Sequence, residues 1–322
     1  YTITLVFGEP IKNPDHVNEV RLAVEKLGVD ASFKRMSQEL IPSRVFLRKC
    51  RTARFQKKIA DSSGDEIVGS KLLIATLCIK KTLERHWLKP DEKNIGILLP
   101  PSNGGLIANT AITVSGRVAV NLNYTLSDKD IRYCIEQAGI RHVITSRKFL
   151  EKKPIDLNAE VIFMEDVKER VSGFDKACSA IAAHAVPMCL LERWLGLTSI
   201  KPTDLMTIIF TSGSTGEPKG VMLSHHNISS NISSADQLFQ ITKDDVVLGV
   251  LPFFHSFGYT LMMWLPLNVD AASVYHYNPL DARTIGELSQ KHKVTIVAAT
   301  PTFLKTYLKR CEKEQFATLD LA

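Results

Sequence analysis

Residues 206–226 read Met-Thr-Ile-Ile-Phe-Thr-Ser-Gly-Ser-Thr-Gly-Glu-Pro-Lys-Gly-Val-Met-Leu-Ser-His-His. An apolar, β-branched run leads into a loop of hydroxyl side chains and glycines, and a second apolar run follows. Glycines let the main chain approach a ligand closely, hydroxyls donate to phosphate oxygens, and successive N–H groups of such a turn form an anion-binding nest. Lys219 adds a mobile positive charge. The stretch therefore predicts a strand, a phosphate-holding loop and a second strand.

This loop differs from the common P-loop, which has four residues between its glycines and then Gly-Lys-Ser/Thr at the start of a helix. Here two residues separate Gly213 from Gly216, and Lys219 is followed by Gly220 and a strand-like run at 221–223. A hairpin loop with an incidental lysine is the alternative interpretation. The complete string between two apolar runs favours phosphate binding.

The string at 211–220 resembles the signature of the adenylate-forming superfamily, which contains acyl-CoA synthetases, peptide-synthetase adenylation domains and luciferases. In that family the loop holds the phosphates of ATP while a carboxylate attacks the α-phosphate. The resemblance implies an acyl-adenylate and pyrophosphate as products, ATP and Mg²⁺ as cofactors, and a catalytic role for Lys219. The phosphate-binding residues that it implies are Thr211, Ser212, Gly213, Ser214, Thr215, Gly216 and Lys219.

A second motif, Leu-Pro-Phe-Phe-His-Ser-Phe-Gly-Tyr, occupies residues 251–259. A histidine between aromatic residues is usually packed in a core, but this segment is similar to the superfamily's Pro-x-x-His-x-x-Gly. The resemblance implies that His255 is catalytic and binds substrate, because it would orient the carboxylate or contact the α-phosphate. It also implies that Gly258 lies at the floor of the acyl pocket and leaves room for the substrate.

The residues around His255 indicate the class of acid that is activated. Amino-acid-activating members carry an aspartate near this segment to pair with the substrate ammonium, and burying that ammonium without an anion would be costly. Residues 254–264 contain no acid. Their apolar side chains suit a flexible tail, or they are simply core residues: Phe257, Tyr259, Met262, Met263 and Trp264. A fatty acid is therefore the expected substrate, with acyl carrier protein or CoA as the acceptor.

Strands and helices alternate from about residue 59 onward. Apolar patterns predict strands at 94–99, 118–122 and 142–145 and helices at 70–84, 106–115 and 127–139. Such alternation predicts a parallel sheet with right-handed crossovers. The block resembles the adenylate-forming N-terminal domain, so the expected fold class is α/β with doubly wound, mainly parallel sheets, incomplete at its end. Residues 151–202 are weakly patterned and are expected to be surface connections.

Residues 1–40 are expected to form a short strand–helix extension. Residues 1–8 alternate like a strand, and apolar positions from residue 17 onward predict an amphipathic helix that ends at Gly28. The segment is similar to the last strand and helix of glycerolipid acyltransferase domains, which implies the C-terminal tail of such a domain. A divergent start of the main domain is the alternative. The expected boundaries are 1–40 for this tail, 41–58 for a basic linker and 59–322 for a truncated AMP-binding domain.

Superfamily members also use a Tyr-Gly-x-Thr-Glu segment, an aspartate for the ribose and an arginine just before a mobile C-terminal domain, and nothing after Pro301 matches the first of these. The chain is therefore expected to be a fragment that does not catalyse adenylation alone. Its parent would activate a fatty acid and, if the acyltransferase resemblance holds, re-acylate lysophospholipids. A non-catalytic nucleotide-binding scaffold and an amino-acid adenylation module are the other open functions.

The net charge of +6 is concentrated in residues 44–58, which hold seven cations and no acid. These cations are Arg44, Arg48, Lys49, Arg51, Arg54, Lys57 and Lys58. A solvated connector is one interpretation, and contact with an anionic membrane surface or an acidic carrier protein is another, since each such cation contributes about 1 kcal/mol near anionic lipid. No nucleic acid is expected as a partner, because aromatic residues are few here and no reader motif accompanies the cluster.

The six cysteines are scattered without a Cys-x-x-Cys pair, so no metal site is expected and reduced thiols are the simplest interpretation. The sequence shows neither a signal-peptide pattern nor an apolar run long enough to span a bilayer. The expected location is cytoplasmic, with peripheral contact at the inner face of the cell membrane as a further possibility.

Overall fold

The computed structural model describes residues 5–14, 16–34, 36–37, 40–211 and 216–321. In chain order the strands are β1 (Lys57–Asp61), β2 (Glu66–Val68), β3 (Asn94–Ile97), β4 (Val118–Asn121), β5 (His142–Thr145), β6 (Glu160–Phe163), β7 (Leu205–Thr211), β8 (Lys219–Ser224), β9 (Val246–Gly249), β10 (Ala272–Tyr275) and β11 (Ile296–Val297). The strands expected at 94–99, 118–122 and 142–145 are β3, β4 and β5.

The α-helices are α1 (Val17–Lys34), α2 (Pro42–Thr52), α3 (Gly69–His86), α4 (Asn103–Val114), α5 (Asp128–Gln137), α6 (Arg147–Lys152), α7 (Met164–Arg170), α8 (Gly173–His184), α9 (Met188–Trp194), α10 (His225–Phe239), α11 (Leu265–Asn268), α12 (Ala282–His292) and α13 (Pro301–Arg310). A π-helix spans Gly258–Trp264, and a 3-10 helix spans Lys313–Phe316. The described residues contain no helix that is both long and apolar enough to cross a bilayer.

Two mainly parallel sheets form the frame. The β1 sheet has the strand order β11-β9-β10-β1-β2, and only β2 runs antiparallel to its neighbour. The β3 sheet has the order β6-β5-β3-β4-β7-β8, and only β8 runs antiparallel. Parallel neighbours pair in register as Ile59 with Ser273 and Ile95 with Ala119. The α/β fold with mainly parallel sheets is thus confirmed.

Helices fill the space between the two sheets and cover both outer faces. The central core joins residues of both sheets, such as Ile59 and Ile97, to Phe46 of α2, Leu72 of α3 and Trp264 of the π-helix. On the outer side of the β1 sheet lie α12 and α13, and on the outer side of the β3 sheet lies α5. Because both faces of each sheet are covered, the central strands are almost continuously apolar.

Residues 41–58, expected as a basic linker, are instead part of the packed domain. They form α2 and the first two residues of β1. Phe46, Leu47 and Cys50 on one side of α2 are fully buried. The cations lie on the remaining faces of this amphipathic helix, which is why the segment looked like a charged connector.

Most of the cations in this segment have acceptors within the chain. Glu192 of α9, 1% exposed, receives Arg44 Nη2 and Arg48 Nε, both at 2.7 Å. Lys49 Nζ lies 2.9 Å from Asp270, and Arg51 donates to three main-chain carbonyls at the end of α8 and just after it. The basic cluster therefore fastens α2 to the domain rather than standing free in solvent.

Residues 151–202 also differ from the expected surface connections. They form β6, α7, α8 and α9, and α8 packs along α3. Asp175 in the first turn of α8 is fully buried and receives Arg85 and Lys81 of α3 at 2.8 and 2.9 Å. The elements in this region are short, so their apolar periodicity is weak in the sequence.

The N-terminal segment contains the expected helix but no described strand. Residues 5–12 have no regular structure, and residues 1–4 of the expected strand lie outside the described part of the chain. The helix α1 continues past Gly28 to Lys34. Its apolar side chains point to solvent, with Val17, Leu22 and Val24 exposed by 86%, 64% and 61%.

Candidate functional site

The predicted phosphate loop connects β7 to β8, as the apolar runs on either side of it indicate. The two strands are antiparallel, and Thr211 pairs with Lys219 across the base of the loop. The Thr211 hydroxyl donates to the Lys219 carbonyl at 3.5 Å. Ser212, Gly213, Ser214 and Thr215 lie outside the described residues, so their phosphate contacts stay predictions.

The described half of the loop shows how the chain leads into β8. Gly216 has a φ of +93°, in the left-handed region where a side chain would be strained. Pro218 is buried and anchors the turn, whereas the Lys219 side chain that follows it is exposed to solvent. An exposed cation therefore stands at the base of the loop.

Tyr133 of α5 lies against the same half of the loop and was not found from the sequence. The pKa of its hydroxyl is raised, first by burial and then by the negative charge and hydrogen bonding of Glu217. Contact with Glu217 holds the loop against α5 just before the lysine. Only the folded chain reveals this neighbour, because the two residues are far apart in sequence.

His255 follows β9 at the carboxyl edge of the β1 sheet. Its ring is tilted against Phe254 with a centroid distance of 4.5 Å, and Phe254 meets Tyr124 edge-on at 4.7 Å. Tyr124 follows β4, the neighbour of β7, so these three rings join the carboxyl edges of both sheets. The loop after β7 and the segment after β9 therefore open on the same edge of the molecule.

Partial burial lowers the pKa of His255, so the imidazole is neutral near pH 7. A neutral imidazole can donate a hydrogen bond from one nitrogen and accept one at the other. Its ring remains accessible to solvent. The group can thus contact a carboxylate or a phosphate oxygen without adding a full charge.

Gly258, predicted at the floor of a substrate pocket, begins the π-helix. A Cβ atom there would lie 2.1 Å from the carbonyl oxygen of Pro252. Glycine is therefore required for the chain to fold back on itself between residues 252 and 258. The structure gives Gly258 this packing role, and its contact with substrate stays a prediction.

An apolar cavity of about 330 Å³ lies beside the π-helix. Phe257, Leu261 and Met262 line one side, and residues 296–299 line the other. Every lining residue is apolar. Tyr259, Met263 and Trp264, also considered for an apolar tail, are instead fully buried in the central core. The cavity suits an aliphatic chain and offers no partner to a charged group.

The described residues fit the phosphates of ATP better than they fit a metal ion. Thr211, Gly216 and Lys219 frame the loop as phosphate binding requires, with a hydroxyl, a left-handed glycine and an exposed cation. Within the described ranges, no group of three or more histidine, cysteine, aspartate or glutamate residues could hold a metal. No residue is therefore assigned to Mg²⁺.

The sequence profile of a family described as AMP-binding enzyme matches residues 80–322. The long-chain-fatty-acid–CoA ligase of Bacillus subtilis is 24% identical over 293 residues, which cover 82% of this chain and 51% of the relative. Mouse long-chain-fatty-acid–CoA ligase 5 is 30% identical over 189 residues, covering 54% and 28%. The chain spans about half or less of the length of these relatives.

Solved structures share the fold. O-succinylbenzoate-CoA synthetase of Bacillus subtilis in complex with AMP superposes with a TM-score of 0.69 at 20% identity, covering 86% of this chain and 67% of that one. The nonribosomal peptide synthetase FmoA3 with bound α-methyl-L-serine-AMP gives 0.70 at 18% identity, covering 88% and 29%. At these identities the likeness establishes the architecture alone.

Proposed function

The chain belongs to the AMP-binding enzyme family, and on this premise we propose that it forms part of a ligase that activates a fatty acid as an acyl-adenylate. The observation that carries the substrate class is the cavity beside the segment that follows His255, because apolar residues alone line it. A fatty-acid tail would occupy this cavity while its carboxylate lies at the histidine. Relatives named as long-chain-fatty-acid–CoA ligases support the same class.

In the proposed reaction a carboxylate oxygen of the acid attacks the α-phosphorus of ATP. The bond between the α-phosphorus and the bridging oxygen breaks, and pyrophosphate leaves. Residues 211–216 and Lys219 would hold the phosphates, and the cation of Lys219 would offset the charge that develops on them. His255 would orient the carboxylate.

We propose CoA as the first acceptor to test, because the relatives are named as CoA ligases. Acyl carrier protein is the second. An anionic membrane surface remains a partner to test, but its support is weakened by the internal contacts of residues 44–58, since Arg44, Arg48 and Lys49 pair with carboxylates of the chain.

Residues 1–40 are proposed to belong to an acyltransferase-like unit, which would make the parent resemble a bifunctional acyl-acyl-carrier-protein synthetase/2-acylglycerophosphoethanolamine acyltransferase. The support is the solvent exposure of the apolar positions of α1, including Val17 and Leu22, in contrast to the packed α2. An exposed apolar helix surface of this kind is expected when the helix packs against a unit other than the domain that follows it in the chain.

An amino-acid adenylation module is the second candidate, and the cavity does not favour it. A substrate ammonium would need a buried anion, and no residue that lines the cavity carries an acid. A nucleotide-binding scaffold without ligase activity would need the phosphate loop but would not need a cavity that binds the acid. Fatty-acid-dependent catalysis separates the first proposal from both.

The experiment is acid-dependent exchange of labelled pyrophosphate into ATP by the full-length protein. Leu261→Trp places a large ring in the cavity, so exchange with a long fatty acid should fall about tenfold relative to exchange with a short one, because a few displaced methylene contacts amount to more than 1 kcal/mol. Leu238→Trp, at an exposed position of α10, is the matched control and should leave the ratio unchanged. Equal ratios in both variants would show that the cavity does not hold the acyl chain.

A further inference from the structure

A second crevice opens at the carboxyl edge of the β3 sheet, between β3 and β5. From β3 the chain moves to β4 on one side, and β5 then returns to the other side of β3. The order of the strands therefore reverses between β3 and β5. In open α/β sheets, ligands bind in the crevice outside the carboxyl ends of the strands at such a reversal.

The crevice contains a cavity of about 370 Å³ that is distinct from the phosphate loop. Its walls come from the segments that follow β3, β5 and β6 and from those that follow β1 and β10 of the other sheet. In the β3 sheet, β4 lies between β3 and β7, which carries the loop. The predicted site residues, Thr211, Lys219 and His255, do not line this cavity.

Three lysines line the cavity and give it positive charge. Lys148, Lys152 and Lys168 line it, together with the acids Asp61 and Glu165. Within the part of the chain that is described, the side chains of Lys148 and Lys168 make no ion pair or hydrogen bond, whereas Lys152 Nζ lies 5.5 Å from the ring centroid of Tyr277.

The two acids already accept hydrogen bonds from the main chain. Asp61 Oδ2 receives the N–H of Asn103 at 2.9 Å, and its Oδ1 receives that of Ser63 at 2.9 Å. Glu165 receives the N–H of Arg147 at 3.2 and 3.3 Å. Among the described residues no ion pair joins these acids to Lys148 or Lys168, and three cations against two carboxylates leave the cavity positively charged.

A further feature fits an anion that carries a planar group. Tyr277, 51% exposed, offers a ring on which a planar group can stack. Unpaired cations and an aromatic surface together suit a phosphate ester better than a free carboxylate.

We propose that this crevice binds the phosphate groups of a phosphorylated ligand, with Lys148 and Lys168 as the contacting cations. The inference is independent of the acid-activating function, since it rests on the strand order and on the lining of the cavity. The same phosphate chemistry is present in CoA, in ATP and in the pyrophosphate that adenylation releases.

The probe is inorganic pyrophosphate, titrated against the 322-residue chain by calorimetry at low salt. Lys148→Gln combined with Lys168→Gln should weaken binding at least about tenfold, because two charge-assisted contacts are lost. Lys305→Gln combined with Lys309→Gln, which neutralises two exposed lysines of α13, is the matched control and should leave the affinity unchanged.

Equal affinity in the Lys148/Lys168 variant and the native chain would overturn the assignment, as would the lack of saturable binding. Loss of binding in Lys219→Ala alone would place the anion at the β7–β8 loop instead and would overturn it too. Competition by CoA or by ATP identifies the source of the phosphate. Competition by either ligand supports the assignment if the Lys148/Lys168 variant shows no such competition.

Discussion

Single residues of the β7–β8 hairpin and of the β9 segment carry the chemistry that we propose. Thr211 and Lys219 face each other at the base of the loop, so the register of two strands fixes where the lysine emerges. His255 reaches the same edge through ring contacts with Phe254 and, beyond it, Tyr124. Each of these positions can be tested by a substitution that leaves the fold intact.

Lys219→Ala should lower acid-dependent pyrophosphate exchange of the full-length protein by about 100-fold or more, because it removes a charge contact to phosphates in the transition state. Thermal melting should be unchanged, since the side chain is exposed. Lys243→Ala, another exposed lysine, provides the control. Undiminished exchange in the Lys219 variant would exclude this residue from catalysis.

Gly258→Ala should destabilise the chain by about 3 kcal/mol, because the added methyl group meets a backbone oxygen that cannot move without shifting the chain. The closest atom is the Pro252 carbonyl oxygen, at 2.1 Å. Gly173→Ala, at a helix start with nothing within 4 Å, is the matched control. Urea unfolding measures both, and equal midpoints would show that the turn tolerates a side chain.

His225 should make the chain less stable in mild acid. Burial lowers the pKa of its imidazole from the usual 6.5 to about 4, against a smaller raising effect of Asp204. The unfolded state therefore takes up the proton first as the pH falls below 6.5, and stability is lost between there and about pH 4. The free energy of unfolding should drop by about 2 kcal/mol from this group between pH 7 and pH 5.

Urea unfolding of His225→Gln at the two pH values measures this contribution as the difference from the native chain. The variant should lose less stability on acidification, whereas His184→Gln, at an exposed position of α8, should behave as the native chain does. Identical pH dependence in the native chain and the His225 variant would show that the buried imidazole is not the group that titrates.

Elements are held together by polar contacts that span long stretches of sequence. Lys58 of β1 is 1% exposed and donates to the carbonyls of Pro266, Val269 and Ala271 at 2.7, 2.7 and 2.8 Å. These carbonyls lie in and just after α11, where the final carbonyls of a helix need donors. One lysine therefore fastens the end of α11 to the β1 sheet.

Lys58→Met keeps the length of the side chain but leaves those carbonyls without their donor. The cost should be about 3 kcal/mol or more in the free energy of unfolding, because buried acceptors without partners each cost 1 kcal/mol or more. Lys71→Met, at an exposed position of α3, should change it by less than about 0.5 kcal/mol. A cost for Lys58→Met no larger than that of the control would mean that water replaces the ammonium group.

Local sequence patterns predicted the elements whose apolar periodicity is strong, such as β3, α4 and β5. They also predicted the loop between β7 and β8, because its glycines and hydroxyl residues are adjacent in the sequence. They failed at α2, because its charge obscured the period of Phe46, Leu47 and Cys50. The acceptor of Arg44 and Arg48, Glu192, is more than 140 residues away. Contacts of that span, like the one between Tyr133 and Glu217, arise only when the sheets assemble.

At the scale of the whole molecule, the central core of the described residues includes α2, so the packing begins before residue 59. Both sheets present the carboxyl ends of their parallel strands to the same edge, where Tyr124 and Phe254 touch. Parallel strands place their functional loops at that edge, which explains how segments some 45 residues apart contribute to one site. The second, lysine-lined crevice belongs to the same edge.

Removal of residues 1–40 should leave the melting temperature within about 2 °C of the intact chain, because α1 buries little apolar surface. Removal of residues 1–52 should abolish cooperative melting, because it also deletes Phe46, Leu47 and Cys50 from the core. A large loss of stability after the shorter deletion would show that α1 is part of this domain.

We propose that the full-length protein activates fatty acids with ATP. The decisive measurement is acid-dependent pyrophosphate exchange by the full-length protein, with a long-chain fatty acid compared with a set of amino acids and with no acid. Exchange is expected with the fatty acid alone and should be lost in Lys219→Ala. Exchange that responds to an amino acid, or no exchange with any fatty acid tested, would overturn the proposal.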